Sequence, residues 1–218
     1  MSLEFFGHPF SSYTQKVLIA LWSDETPFDY RMLDQDHPEN FEELKRHSPF
    51  GLFPLLLDGG RPVIETTCII EHLQAHHPGP NRWIPEGELG RRVRLLDRFF
   101  DLYVMGNMQL PVADRLRPEG AQDPYGVSRA RERLHVAYDW LEANLGDGPW
   151  AAGEQFTLAD CAAAPSLFYA DWVEEIGPAR PRLSDYRARL LEHPTVVRAV
   201  DEGRPYRSYF PLGAPDRD

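Results

Sequence analysis

Three consecutive hydroxyl side chains, Ser11, Ser12 and Tyr13, follow a short apolar run at residues 3–6 and open a stretch with helical spacing at residues 11–22. A hydroxyl at a helix N-terminus can donate a hydrogen bond to an anion, and the free N–H groups of the first turn add a favourable partial charge. A thiolate would profit from both, since a free thiol with a pKa of about 8.5 is mostly protonated at neutral pH. The competing interpretation is ordinary N-capping of the helix.

A second polar helix start, Glu65-Thr66, lies between a β-branched pair and a run of apolar residues with helical spacing. The free N–H groups and the Thr66 hydroxyl suit a carboxylate, and Glu65 suits an ammonium group. Plain capping explains the same pair without a ligand. What favours a binding site is the spacing to Phe53-Pro54 and to the Asp-Gly-Gly turn at residues 58–60, which predicts a hairpin of two short strands.

This order of parts resembles the glutathione-binding half of the glutathione transferase superfamily. In that family the proline is cis, which would make Phe53-Pro54 the cis peptide here. The resemblance implies that the main chain of Phe53 pairs with glutathione in the manner of an added strand. It also implies that Glu65 and Thr66 hold the γ-glutamyl end, and His37 is the favoured cation for the glycine carboxylate.

The segment around the hydroxyl residues resembles the serine-type classes of the superfamily, which include theta-like and zeta-like bacterial members. That resemblance makes Ser11 the expected catalytic residue, with Ser12 and Tyr13 as substitutes. Tyr13 departs from the zeta pattern, which has cysteine at this position. Leu52 stands where many members carry Gln or Lys, so we expect glutathione binding to be weaker by about 1 kcal/mol, the value of one ordinary hydrogen bond.

The acceptor side is less defined by the sequence. The resemblance implies a hydrophobic pocket between the two halves of the chain, with Phe10, Tyr103 and Met108 as candidate lining residues. Methionines and aromatic residues at helical spacing are equally typical of a core. Asp97 or Asp101 is a candidate for reaching the γ-glutamyl amine across a dimer interface, with simple surface exposure as the default for both.

The predicted elements divide the chain in two. The first half has the order β-α-β-α-β-β-α, and the break Pro78-Gly79-Pro80 ends it. The fold class is therefore α/β plus all-α. We expect a thioredoxin-like domain over residues 1–78, a linker over 79–87 and a helical bundle domain over 88–218. Thr157 and Asp160 have the spacing of a capping box, which predicts a structural role.

Composition limits the partners. The net charge of −11 argues against nucleic acid and anionic membranes as partners. No apolar run approaches the roughly 20 residues that span a bilayer, and no signal peptide pattern is present, so a cytoplasmic protein is expected. Cys68 and Cys161 have apolar neighbours and are interpreted as small core residues. Neither has metal-ligand spacing, and the histidines are scattered, so we expect no metal and no cofactor beyond glutathione as co-substrate.

The predicted function is that of a glutathione transferase that attacks a small hydrophobic electrophile with the glutathione thiolate. The predicted assembly is a homodimer formed through the edge near residues 68–72 and the long helix at residues 88–116. One alternative is another glutathione-dependent reaction, such as an isomerase, peroxidase or dehalogenase. The other is a non-catalytic protein-interaction module with the same fold.

Overall fold

A four-stranded sheet forms the centre of the first half of the chain in the computed structural model, which describes residues 2–218. Its strands are β1 (Leu3–Gly7), β2 (Asp29–Met32), β3 (Leu55–Asp58) and β4 (Arg61–Ile64), and they lie side by side in the order β2-β1-β3-β4. β1 runs parallel to β2 and antiparallel to β3, and β3 pairs with β4 in the hairpin that the Asp-Gly-Gly turn predicts.

Three helices complete this half: α1 (Ser12–Ser23), α2 (Pro38–His47) and α3 (Thr66–His76). The order β-α-β-α-β-β-α confirms the predicted thioredoxin-like unit. α2 begins with proline in its first turn and ends with three basic residues, and both residue types favour those positions of a helix.

The sheet separates two apolar clusters, because successive side chains of a strand point to opposite faces. Phe5 and Leu56 pack on the face that α1 and α3 cover, within the larger cluster that extends into the second half of the chain. Phe6, Leu55 and Leu57 pack on the other face, in the small cluster closed by α2. Both faces of the central strands are therefore buried.

The second half is helical, as predicted. Its elements are α4 (Gly87–Phe99), a π-helical segment (Phe100–Met105), α5 (Gly106–Arg115), α6 (Pro124–Asn144), α7 (Leu158–Val173), α8 (Pro181–Glu192), α9 (Pro194–Gly203) and a 3₁₀ segment (Arg204–Tyr209). α4, the π segment and α5 follow one another without a break, so the predicted long helix is present but changes its hydrogen-bond pattern midway.

The segment between α3 and α4 is fixed to the first half of the chain. Trp83 is fully buried, and its Nε1 donates to Asp24 Oδ2 at 2.7 Å. Asn81 Nδ2 donates to Asp24 Oδ1 at 2.8 Å. The break that suggested a linker therefore connects two closely packed parts, and the division at residues 78 and 88 stays a prediction.

The capping box before α7 is confirmed. Asp160 Oδ2 accepts from the main-chain N–H of Thr157 at 2.8 Å and from its hydroxyl at 3.0 Å. Asp160 Oδ1 accepts from Ala151 N and from the Tyr186 hydroxyl, both at 2.8 Å. Burial raises the pKa of Asp160, and the donors around it oppose that shift. The carboxylate thus ties three separate segments together in the core.

The two cysteines differ in their surroundings. Cys161 is buried on α7, as predicted, and burial raises the pKa of its thiol. Cys68 is exposed, so its prediction as a core residue was wrong: Ile69, Ile70 and Leu73 occupy the inner face of α3 and leave Cys68 outside. Over residues 2–218, no helix combines the length and the apolar character needed to cross a membrane.

Candidate functional site

A cavity of about 330 Å³ lies where the loop before β3, the start of α3 and the α4 to π-segment region meet. We call it the Phe53 cavity. Its lining residues come from both halves of the chain: Tyr13, Ser48, Phe50, Leu52, Phe53, Pro54, Ile64, Glu65, Thr66, Arg98, Asp101 and Leu102. Four of the five residues expected to contact glutathione therefore share one cavity.

The main chain at the cavity entrance is available for a ligand. The Phe53-Pro54 peptide is cis, as the resemblance implies. Among residues 2–218, no group hydrogen-bonds the N–H or the C=O of Phe53. Leu52 differs, because its N–H and its C=O both bond to the Ser48 hydroxyl, at 3.1 and 3.0 Å. Phe53 thus presents an unpaired donor and acceptor beside the cavity, as an added extended peptide would require.

Glu65 holds an unusual backbone conformation at the start of α3. Its φ is +69°, in the left-handed region that residues other than glycine rarely adopt. Its side chain makes no capping hydrogen bond, and the carboxylate is exposed on the cavity wall. No side chain caps the N-terminus of α3. Its first N–H groups and the Thr66 hydroxyl are therefore a suitable place for an anion.

A buried ion pair network lies behind the cavity wall. Lys16 Nζ on α1 lies 2.7 Å from Asp97 Oδ1 and 2.6 Å from Asp101 Oδ2, and it donates to Thr67 Oγ1 at 3.2 Å. Thr67 in turn donates to Asp97 Oδ2 at 2.9 Å. The default of surface exposure for the two aspartates was wrong, because the buried lysine holds both of them inward. Burial raises the pKa of Asp101 against the lowering effect of Lys16.

Ser11 caps α1. Its Oγ accepts from the N–H of Thr14 at 3.3 Å, so the capping interpretation of this residue is confirmed. Accepting this bond leaves the hydroxyl proton free to donate elsewhere. Ser11 is half-buried and Ser12 is buried as the first residue of α1, and neither is among the residues that line the Phe53 cavity.

Tyr13 is the hydroxyl residue that does line the cavity. Burial raises the pKa of its phenol to about 12, and the negative charges of Asp101 and Glu65 add to the shift. The phenol therefore remains a hydrogen-bond donor throughout the neutral range. The same two carboxylates make the space around its oxygen unfavourable for a second anion.

Arg98 is a cavity residue that the sequence analysis missed. Its Nη1 donates to Thr67 Oγ1 at 3.2 Å and approaches Asp97 Oδ2 at 3.3 Å, while the side chain stays 58% exposed. No local signal distinguishes it from the other arginines of α4. Only the fold brings this guanidinium to the wall that Glu65 and Asp101 share.

His37 does not reach the cavity. It precedes α2, and its Nδ1 lies 2.7 Å from Asp34 Oδ1 on the surface. The hydrogen bond to Asp34 raises the pKa of His37. The structure therefore does not place this expected cation with the other residues predicted to contact glutathione.

The three candidate acceptor residues lie in different environments. Phe10 packs edge-on against Tyr169, with ring centroids 5.5 Å apart. Met108 is 3% exposed and belongs to the main core. Tyr103 borders a separate groove of about 490 Å³ between the π segment and α6, which includes Trp140 and which we call the Tyr103 groove. The three do not line a common cavity, because α5 turns Met108 inward.

Two family models match the chain. Residues 5–81 match the model described as the glutathione S-transferase N-terminal domain. Residues 124–189 match the model described as the glutathione S-transferase C-terminal domain. The first match contains the sheet, the cis peptide and the start of α3.

Individual proteins give the same result over most of the chain. Glutathione S-transferase theta-2 of Homo sapiens is 31% identical over 199 residues, which is 87% of this chain and 81% of that protein. A probable maleylacetoacetate isomerase of Vibrio cholerae is 26% identical over 213 residues, 94% of this chain and 98% of that protein. The crystal structure of a glutathione S-transferase from Methylobacterium radiotolerans, in complex with glutathione sulfonate, is 25% identical. It superposes with a TM-score of 0.79 over 92% of this chain and 95% of that one.

Proposed function

This chain belongs to the glutathione S-transferase family, and we propose that it binds glutathione in the Phe53 cavity and attacks a small hydrophobic electrophile with the thiolate. The observation that carries the proposal is the meeting of three kinds of group in one cavity. These are the unpaired main chain of Phe53, the uncapped N-terminus of α3 and the carboxylate pair of Glu65 and Asp101.

The charges of the cavity complement those of glutathione. The γ-glutamyl ammonium fits between Glu65 and Asp101, and the neighbouring carboxylate fits the Thr66 hydroxyl and the first N–H groups of α3. We assign Arg98 to the same γ-glutamyl carboxylate, because its guanidinium lies on the wall that Glu65 and Asp101 share, so the residues that line the cavity offer no cation to the glycine carboxylate in place of His37. Phe53 then pairs with the cysteine residue in the middle of the tripeptide.

We assign the hydrogen bond to the sulfur to Ser11. Its free hydroxyl proton and the N-terminus of α1 stabilise negative charge at the same point. Tyr13 is the second candidate, favoured by its place on the cavity wall. The negative charges of Asp101 and Glu65, which raise the pKa of Tyr13, favour the ligand's ammonium group over its thiolate as the neighbour of this phenol. Tyr13 is therefore better suited to the γ-glutamyl end than to the sulfur.

A glutathione-dependent isomerisation is the alternative reaction. The similarity to a probable maleylacetoacetate isomerase favours it. The sequence departs from the zeta pattern at Tyr13, so conjugation stays first. Parallel assays with an aryl halide and with a cis-enedione substrate separate the two reactions, because only the second returns free glutathione.

Calorimetric titration with glutathione tests the binding mode, with Arg98→Gln and Arg94→Gln as a matched pair. Both arginines are exposed on α4 to about the same extent, but only Arg98 lines the cavity. We expect Arg98→Gln to weaken binding roughly tenfold, the value of one charge-assisted hydrogen bond, and Arg94→Gln to bind like the wild type. Absence of heat at millimolar glutathione would contradict catalysis and favour a protein-interaction module.

We further propose a homodimer that covers the Tyr103 groove. Leu102, Tyr103 and Val136 are 60%, 55% and 67% exposed there, an apolar grouping that a monomer has little reason to present. Leu102 also borders the Phe53 cavity, so a second copy would approach the glutathione site. Light scattering should show a dimer for the wild type and for the control Val197→Glu, and a monomer for Val136→Glu. A monomeric wild type rejects this assembly.

A further inference from the structure

At the end of β3 remote from the Phe53 cavity, one carboxylate oxygen lies within hydrogen-bond distance of two imidazole nitrogens. Asp58 Oδ2 lies 2.8 Å from His72 Nε2 and 2.9 Å from His77 Nε2. The three side chains are 9%, 14% and 27% exposed, so the cluster is mostly enclosed but open to solvent on one side. One ligand atom from each residue lies within 4.8 Å of the other two.

The fold assembles the cluster from distant parts of the chain. Asp58 is the last residue of β3, His72 lies on α3 and His77 is its C-cap. Pro54, just before β3, and Thr66, the first residue of α3, line the Phe53 cavity. The two sites therefore lie at opposite ends of the same strand and helix, about 10 Å apart along β3 and about 9 to 16 Å apart along α3.

The hydrogen bonds determine which nitrogen each ring offers. The Asp58 carboxylate oxygen lies within hydrogen-bond distance of both rings, at 2.8 and 2.9 Å. A carboxylate only accepts, so each imidazole must present its Nε2–H to the shared oxygen. Both rings thus aim the same nitrogen at one point. A metal ion needs ligand atoms that converge in this way, and it would take the place of the two Nε2 protons.

We propose that Asp58, His72 and His77 form a Zn²⁺ site, with water as the fourth ligand. Zn²⁺ bonds of about 2.0 to 2.1 Å place tetrahedral ligand atoms about 3.3 Å apart. The two nitrogen–oxygen distances need to open by only about half an ångström to accept the ion. Each ring then carries its proton on Nδ1, and the open side of the cluster admits the water.

The donor set favours Zn²⁺ over the alkaline-earth ions. Two imidazoles and one carboxylate match the ligands of Zn²⁺, whereas Mg²⁺ and Ca²⁺ prefer oxygen ligands only. The bound ion would hold the β3–β4 turn to the end of α3, just before the chain enters the second half. The site is independent of glutathione chemistry.

Calorimetric titration of the untagged full-length protein with ZnCl₂, in buffer free of chelators and glutathione, tests the proposal. We expect one Zn²⁺ per chain, and no heat with MgCl₂. His72→Ala and His77→Ala should each lose roughly tenfold or more in affinity, since even outer-shell changes cost that much. His76→Ala is the matched control: its ring lies 4.5 Å from that of His72 but outside the three-ligand set, and it should bind like the wild type.

Two further measurements keep the result interpretable if a variant folds poorly. Asp58→Asn retains one acceptor and should fold while losing affinity. A crystal grown with Zn²⁺ should show an anomalous peak between the three ligand atoms at the zinc edge. Equal affinity of the wild type and His77→Ala, loss of binding in His76→Ala, or no Zn²⁺-dependent heat in the wild type would each overturn the proposal.

Discussion

Lys16 and Asp97 form a fully enclosed ion pair, Nζ to Oδ1 at 2.7 Å with both side chains 1% exposed, that joins α1 to α4. Asp101 supplies a second carboxylate to the same ammonium group at 2.6 Å. Removing one partner of such a group leaves a buried charge without compensation, which costs more than the pair itself contributes. The two carboxylates therefore share one buried cation, which links α1 to α4 and to the π segment.

Replacing that cation should destabilise the protein strongly. We expect Lys16→Met to lower the free energy of unfolding by about 3 to 5 kcal/mol, because Asp101 then loses the cation that pairs with it and Asp97 keeps only the half-exposed Arg98. Urea denaturation measures the change. Lys45→Met is the control, since Lys45 pairs with Glu42 at 63% exposure and should cost less than about 1 kcal/mol. Equal midpoints for the two variants would contradict this role.

The thiolate donor can be identified from the pH dependence of the reaction. We expect Ser11→Ala to reduce kcat/KM about 10- to 100-fold and to move the apparent thiol pKa towards the ordinary value of about 8.5. Tyr13→Phe should change both quantities less. kcat/KM measured from pH 6 to pH 10 reports the shift. The Tyr13 phenol, with its pKa raised to about 12, stays protonated over this range and should not limit the alkaline arm.

Two further variants separate catalysis from capping. Ser11→Gly removes the hydroxyl at a cost of only a few tenths of a kcal/mol to the helix, and Ser11→Thr restores a hydroxyl. Loss in the first and recovery in the second support the assignment. The reverse pattern, with a larger loss in Tyr13→Phe than in Ser11→Gly, would transfer the role to Tyr13.

Glu65 should be replaceable by glycine with a gain in stability and a loss of binding. Its φ of +69° is strained for any residue with a side chain, so we expect Glu65→Gly to stabilise the fold by about 0.5 to 1 kcal/mol. Glutathione affinity should fall roughly tenfold with the loss of the carboxylate. Glu25→Gly, at φ +50° and away from the cavity, should gain stability without a change in affinity. Glu65→Gln should lose affinity without gaining stability.

Leu52 should be a position where glutathione binding can be improved. The side chain is 65% exposed on the cavity rim, and its main-chain groups are already bonded to Ser48. We expect Leu52→Gln to add one hydrogen bond to the ligand, which is about 1 kcal/mol or about fivefold in Kd. Calorimetry measures it. Leu116→Gln, at 69% exposure on another surface, should leave Kd unchanged.

Asp160 should matter for folding and not for binding. An amide in its place offers one acceptor atom where the carboxylate serves Ala151, Thr157 and Tyr186, so buried donors lose their partners. We expect Asp160→Asn to lower the free energy of unfolding by about 3 kcal/mol. Glutathione affinity of the folded variant should stay at the wild-type value. A variant with wild-type stability would show that ordered water replaces the carboxylate.

The fold was predictable because its signals are local. The Asp-Gly-Gly turn, the proline that opens α2 and the Thr157–Asp160 spacing each determine an element end within a few residues. Glu65-Thr66 marks the start of α3 for the same reason. A local rule also explains the one error of this kind: hydrophobic neighbours suggested a buried Cys68, but the helix period turns it outward.

The rest of the candidate site depends on contacts between distant residues. Arg98 resembles every other arginine of α4 until the fold brings it to the cavity. The sequence suggested surface positions for Asp97 and Asp101, because the lysine that pairs with both of them lies on α1, far earlier in the chain. Asp58 and the two histidines were separated in the sequence by a strand and most of a helix. Contacts between residues so far apart in the chain leave no short-range pattern in the sequence.

The unpaired main chain of Phe53 bears on which thiols the protein can select. A donor and an acceptor on the backbone recognise an amide link and are indifferent to the groups it carries. Tripeptide analogues with a different third residue should therefore still be accepted. Free cysteine and other thiols without a peptide bond should be rejected, however reactive their sulfur.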